Sequence, residues 1–243
     1  MSGRRIDRPE ARVLAEEEFR RFAALCGSFM DDEWLMPTDC VGWTVRDVAL
    51  HVLGSADAQA SVKEFLHQFV RGIPVNRQIE SHHWVDGINE LQIRERRTLS
   101  NDELVAQLVA VGPNAVAGRW RTPAPVRHLP LPIGPPVGWT GLWYLLDVGF
   151  TRDVWAHRID LCEATGRPME PTPEHDGRLV ADLVGEWATV YGHSFELVLD
   201  GPAGGTFSQG VGGEHVEMDA IQFVRTLCGR RSGAGVLTHE FPL

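Results

Sequence analysis

Apolar residues recur at helical spacing in four stretches before residue 168. Between Arg8 and Phe29, Val13, Leu14, Phe19, Phe22 and Leu25 follow the 3.6-residue repeat and predict a helix with one broad apolar face. A second helix is announced by Thr44 with Asp47 three residues on, a start resembling a capping box. It carries Val48, His51, Val52, Ser55, Val62, Leu66 and Phe69 towards Gly72. The third follows a second such box, Ser100 with Glu103, and places Leu104, Leu108 and Val111 on one face. The fourth is predicted from near Thr140 through Leu145, Leu146, Asp153 and His157 to Ala164, where Gly166 and Pro168 stop it. Two long links separate these helices. Gly72 to Leu99 has room for a helical turn around Asp86 to Arg96, and Pro123 to Gly138 is too rich in proline and glycine for a helix. Connections of this length are often functional. They could close over one end of a bundle as a lid, or serve as plain connectors.

After Pro168 the pattern changes. Pro171-Thr172-Pro173 marks a boundary, and His175 to Tyr191 reads as an amphipathic helix with Leu179, Val180, Leu183, Val184 and Trp187. Phe195 to Leu199 alternates in part, as a strand does, and runs into the turn Gly201-Pro202-Ala203-Gly204-Gly205. Val211 to Met218 predicts another strand, Asp219 caps a short helix over Ala220 to Leu227, and Val236 to Phe241 is expected to close with a last strand. The expected organisation is therefore a four-helix bundle over residues 1–168, followed by a small α/β domain over 169–243.

Composition removes several classes of function. The formal charge of −10 argues against nucleic acid, whose phosphates demand a basic surface. No apolar run reaches the roughly 18 residues of a membrane span, and no apolar stretch follows the N-terminal arginines as in a secretory signal. Cys26, Cys40, Cys162 and Cys228 show no Cys-x-x-Cys spacing, which fits reduced thiols in a cytoplasmic protein. Lys63 is the only lysine, so the positive charge is almost all arginine, a side chain suited to bidentate recognition of carboxylates. The glycines at 201, 204 and 205 are turn glycines: no Gly-Lys-Ser/Thr follows them. Neither Gly-x-Ser-x-Gly nor His-Glu-x-x-His occurs.

The candidate chemistry lies on the second and fourth helices. Asp153 and His157 are four apart and share a helix face. Such a pair is also a common surface hydrogen bond, but Phe150, Val154 and Leu161 around it suggest a face turned inward. A third donor, His51, arriving from the other helix would complete a His-Asp-His set with a coordination position open for water or substrate. Asp47 lies one turn before His51, where it either caps the helix start, the reading preferred, or accepts the second imidazole N–H of His51. Asp160 either orients the His157 ring or pairs with Arg158. Asn89 and Glu90 reach the pocket mouth or belong to a capped loop helix. His82 and His83 are read as loop residues. Cys162 is five residues past His157, a poor match to the helical repeat, and is not expected to be a nucleophile.

The segments Trp43-Thr44-Val45-Arg46-Asp47-Val48-Ala49-Leu50-His51 and Thr151-Arg152-Asp153-Val154-Trp155-Ala156-His157-Arg158-Ile159-Asp160 resemble the DinB-like superfamily. More closely, the chain resembles the actinobacterial branch of mycothiol-dependent maleylpyruvate isomerases. Its tail, Asp219 to Arg230, is similar to that family's small C-terminal domain. The resemblance implies a DinB-like metal-binding bundle, a metal triad at His51, Asp153 and His157, and zinc as the expected ion. It implies mycothiol as the thiol cofactor and an arginine of the C-terminal domain, Arg225 or Arg230, on substrate carboxylates. The isomerases carry a glutamate where Asp153 stands. The expected function is thus a mycothiol-using transferase or isomerase acting on a small electrophile. Rivals are a non-catalytic binding protein on the same fold and a metal-dependent hydrolase using activated water. Metal identity, substrate and oligomeric state are not readable from these residues.

Overall fold

The computed structural model describes residues 5–79, 83–134, 137–238 and 241. It is helix-rich, with small sheets confined to the C-terminal half. Helix α1 spans Arg8–Cys26, a turn shorter than expected. Helix α2 spans Val45–Ala60 and opens on a complete capping box: the Asp47 amide donates to Thr44 Oγ1 and the Thr44 amide to Asp47 Oδ2. Asp47 is therefore a cap.

The expected run from Thr44 to Gly72 is broken at Ser61. This residue leaves the helical region (φ −138°, ψ 119°) and its hydroxyl accepts from the Glu64 amide, starting helix α3, Val62–Gln78. The break changes the helical phase. Val62, Leu66 and Phe69, read as continuing the inward stripe of α2, are 77%, 54% and 45% exposed, while Gln68, Gly72 and Val75 face inward. Gly72 is accordingly a packing residue and not a stop. A Cβ there would meet Ile88 Cγ1 at 2.6 Å, and one on Gly87 would meet the Gly72 carbonyl at 2.4 Å, so this glycine pair lets α3 approach helix α4, Trp84–Arg96, backbone to backbone. Asn89 and Glu90 lie on α4, where Glu90 pairs with Arg94. His82 falls outside the described residues, and His83 is the residue before α4. Helix α5, Asn101–Arg121, begins on the expected Ser100/Glu103 box.

The stretch expected to exclude helix holds one helical turn, α6, Ala124–Arg127, and an antiparallel hairpin of β1, Pro130–Gly134, and β2, Gly138–Gly141. Thr140 is thus in a strand. The fourth helix begins later, through a π-helical turn at Leu145–Gly149 that runs into α7, Phe150–Thr165. The wider turn breaks the phase that Leu145 and Leu146 suggested.

A second π-helical turn, Pro173–Gly177, leads into α8, Arg178–Tyr191. Strand β3, Phe195–Asp200, is central in a three-stranded sheet, antiparallel to β4, Gly205–Gln209, and parallel to β5, Glu214–Asp219. Its inward residues Phe195, Leu197 and Leu199 are buried, and the Trp187 ring of α8 packs on Phe195 and on Phe223 of α9, Ala220–Leu227. Asp219 Oδ1 caps α9 by accepting from the Ile221 and Gln222 amides. Strand β4 was not anticipated. Where the sequence predicts a strand from Val236, a 3₁₀ turn spans Gly235–Thr238; residues 239 and 240 of that expected strand lie outside the described residues. Gly201 (φ +86°) and Gly204 close the β3–β4 turn.

One compact unit comprises the described residues of Met1–Ala11, Pro125–Ala156 and Met169–Leu243; the other comprises Arg12–Ala124 and His157–Pro168. The boundary between the units falls after Ala11 in α1 and after Ala156 in α7. Within the first unit, Arg152, 1% exposed, donates to Asp182 at 2.6 Å and Glu186 at 2.8 Å. Within the second, Arg158 makes a bidentate pair with buried Glu18 at 2.7 and 3.1 Å. No helix among the described residues is long and apolar enough to cross a membrane.

Candidate metal centre

Helix α2 delivers His51 to the interior because Val48, Leu50, Val52 and Leu53 bury every side of it. The imidazole is 5% exposed. Helix α7 delivers His157, 7% exposed, with its ring centroid 5.1 Å from that of His51 in an edge-on arrangement. Asp153 lies one turn earlier on the same continuous helix, so its place beside His157 follows from the helical repeat. One ligand atom from each of His51, Asp153 and His157 lies within 4.8 Å of the other two. The indole of Trp43 walls both imidazoles, 5.2 Å from the His51 ring and 6.3 Å from the His157 ring. It is held there by a tight loop in which Thr38 Oγ1 donates to the Trp43 carbonyl and a bridge joins Pro37 to Thr44.

Each imidazole has its Nδ1 engaged away from the other. Asp160 Oδ2 lies 3.1 Å from His157 Nδ1, so of the two partners open to it, Asp160 takes the ring; Arg158 goes to Glu18. His51 Nδ1 lies 2.8 Å from Gln92 Oε1 on α4. When Nδ1 donates, Nε2 carries the lone pair. Two Nε2 donors and one carboxylate are a donor set that suits a divalent ion such as zinc, and acidic or amide partners on the second ring nitrogen are the usual support of such ligands. The residues fit the ion.

Sequence reasoning missed Gln92, Gln68, Trp43 and Cys40. A signal did exist for the glutamines: Gln92 follows Ile88 by four, and Gln68 precedes Gly72 and Val75 by four and seven, so each is polar on a buried face. Nothing local marks Cys40, whose Sγ donates to Asp160 Oδ2 at 3.3 Å across 120 residues. A second set of potential ligand atoms, from Cys40, His157 and Asp160, shares His157 with the first.

Arg225 and Arg230 belong to the unit that holds the three-stranded sheet. Arg225, on α9, is 4% exposed and donates to Gln222 Oε1 at 3.3 Å; Arg230 follows the helix, its amide bonded to the Arg225 carbonyl.

None of the four cysteines is paired in a disulfide. Burial pushes the Cys162 thiol up to about 11 and raises that of Cys26 further, the nearby Cys162 adding to the effect. At pH 8 a thiol titrating near 11 is ionised to about one part in a thousand, against roughly one in four for an ordinary cysteine. Iodoacetamide at pH 8 is therefore expected to label Cys40 and Cys228 in the native protein and spare Cys26 and Cys162. Peptide mass spectrometry reads this, and equal labelling of Cys162 and Cys228 would contradict the burial argument.

The family model for the mycothiol maleylpyruvate isomerase N-terminal domain matches residues 15–162. The chain belongs to this family. The match includes His51, Asp153 and His157, the π-helical turn and all of α2 to α6. Two solved structures share the fold over almost the whole chain. One is a crystal structure of the mycothiol-dependent maleylpyruvate isomerase, with a TM-score of 0.56 and 18% identity, covering 94% of this chain and 91% of that one. The other is a histidine-to-alanine mutant of a mycothiol-dependent maleylpyruvate isomerase, with a TM-score of 0.56 and 18% identity over 93% and 90%. No curated protein matches. Membership of the mycothiol maleylpyruvate isomerase family agrees with the resemblance carried by the two helical motifs, and the helical fold with its small C-terminal sheet agrees as well.

Proposed function

We propose that this chain is a divalent-metal-dependent enzyme that uses mycothiol to isomerise a small electrophile or to transfer a thiol to it. The observation that carries the reading is the convergence of His51, Asp153 and His157 inside the domain that defines the family. Zinc is the ion we expect. In this reading the two Nε2 atoms and the Asp153 carboxylate hold the ion, and Asp160 and Gln92 keep the imidazoles in register. When bound, the ion supplies positive charge that lowers the pKa of an incoming thiol. Trp43 shields one side of both imidazoles from water, which strengthens electrostatic interactions there.

Addition of the thiolate sulfur to an activated carbon–carbon double bond would give an enolate in which the former double bond is single and can rotate; expulsion of the thiolate then restores the double bond in the trans form. If the enolate carbon takes a proton from water and the adduct is released instead, the outcome is transfer. The guanidinium of Arg225 or Arg230 is our candidate for substrate carboxylate charge. Asp153, shorter than the glutamate of the isomerases, favours a substrate or outcome that differs from theirs. A cytoplasmic setting belongs to the same reading, because the four cysteines are scattered without the spacing of a disulfide framework.

The test is metal content together with thermal protection. We expect about one ion per chain by elemental analysis, and a rise in Tm on adding mycothiol at 100 times its Kd, corresponding to about 2.7 kcal/mol, only in metal-loaded protein. Equal protection of metal-free and loaded protein would remove sulfur–metal contact. A chain that takes up no ion after reconstitution would leave the rival reading, a binding protein on the same fold.

A further inference from the structure

We infer that Gln92 and Gln68 are positioning residues that lock the tautomer of His51, so that its Nε2 lone pair faces Asp153 and His157. The inference deepens the proposed metal reading and rests on it for its functional consequence, though not for its geometry.

A chain of hydrogen bonds runs from His51 through Gln92 and Gln68 to Gly54, closing into a ring through the α2 backbone, and its direction is set at the Gly54 end. Gln68 Nε2 lies 2.8 Å from the backbone carbonyl of Gly54 and 2.9 Å from Glu64 Oε1. The carbonyl can only accept. The Glu64 carboxyl is held below its usual pKa, against the opposing effect of burial, by the Gln68 amide and the Arg96 guanidinium, so it too is an acceptor at neutral pH. Both partners therefore demand that Gln68 present its NH₂, which turns Gln68 Oε1 towards α4. There it lies 2.7 Å from Gln92 Nε2. Gln92 must donate on that side, so its Oε1 is the atom facing His51 Nδ1 at 2.8 Å. An amide oxygen accepts only. His51 Nδ1 therefore carries a proton, and in the neutral ring that tautomer leaves the lone pair on Nε2.

The ring leaves α2 at His51, crosses α4 and α3, and returns to α2 three residues further on, at Gly54. His51, Gln68 and Gln92 are 5%, 2% and 4% exposed, so water competes little with any link. The packing agrees. A Cβ on Gly54 would lie 2.6 Å from Gln92 Cβ, and that atom is fixed to the α4 backbone. Gly54 is the space in which Gln92 reaches His51. A buried chain of neutral amides orients the ring without adding charge, whereas His157 is oriented by the Asp160 carboxylate. The two imidazoles of the site are supported unequally.

The experiment uses the full-length protein and has two readouts. Long-range ¹H–¹⁵N NMR of the metal-free protein, at a pH where His51 is neutral, reports its tautomer directly; metal Kd is measured by chelator competition. Wild type is expected to show protonated Nδ1. Gln92→Leu should mix the tautomers and weaken metal binding about 10- to 100-fold. Gln68→Leu touches no ligand, yet should shift the His51 tautomer in the same direction by releasing the Gln92 amide. Gly54→Ala reaches the same end by displacing Gln92, with both glutamines intact. Protonated Nε2 in the wild type, or an unchanged tautomer in Gln92→Leu and Gly54→Ala, overturns the lock. If wild type binds no metal, the proposed function falls and the NMR arm still decides the lock. If wild type binds metal and these variants bind it equally well, the inference alone falls.

Discussion

On the proposed metal-dependent function, replacing His51 or His157 with alanine is expected to abolish uptake of the ion and lower kcat/KM by at least about 10³-fold, roughly 4 kcal/mol of transition-state stabilisation. Each imidazole supplies one of three donors, so a single loss leaves two, too few to hold an ion in a position open to thiol. Asp153→Asn should also lose affinity, because an amide keeps the shape of the carboxylate and lacks its charge. The helical circular dichroism of all three variants should stay close to wild type, since the apolar faces of α2 and α7 remain. Full activity in either histidine variant, with confirmed folding, would remove the metal mechanism. Activity in the chelated wild type would do the same by an independent route.

The second large effect concerns stability. Arg158→Met is expected to destabilise the protein by about 3–5 kcal/mol, because it leaves the Glu18 carboxylate, 1% exposed, without the guanidinium that neutralises it. The double variant Glu18→Met/Arg158→Met should recover most of that loss, since matched apolar side chains need no compensation for leaving water. Urea denaturation with linear extrapolation separates these outcomes. A single variant within about 1 kcal/mol of wild type would show that the pair contributes little. The position matters beyond stability: Arg158 is the residue after His157, so the pair ties the ligand-bearing turn of α7 to α1.

Local features of the fold were legible in the chain. The Thr44/Asp47 and Ser100/Glu103 boxes could be read because a capping box is closed by residues three apart. The helix Ala220–Leu227 and its Asp219 cap were legible for the same reason, and β3 through the period-2 burial of Phe195, Leu197 and Leu199. The misreadings share a cause. At Ser61 one hydroxyl bond to Glu64 divides what periodicity alone presents as one helix. At Leu145–Gly149 a wider helical turn shifts a phase that sequence spacing assumes constant. Over Gly235–Thr238 a segment too short to show its period folds as a 3₁₀ turn.

The candidate site divides along the same line. Asp153 and His157 are brought together by one turn of one helix, so the sequence by itself determined that pair. That His51 meets them, that Gln92 meets His51 from 41 residues away and that Gln68 meets Gln92 from 24 were decided only by the packing of α2, α3, α4 and α7. Helical spacing constrains neighbours within about two turns and is silent beyond them. Which buried amide answers which imidazole depends on the close approach of α4 to α2 at Gly54, a contact that exists only once the helices have packed.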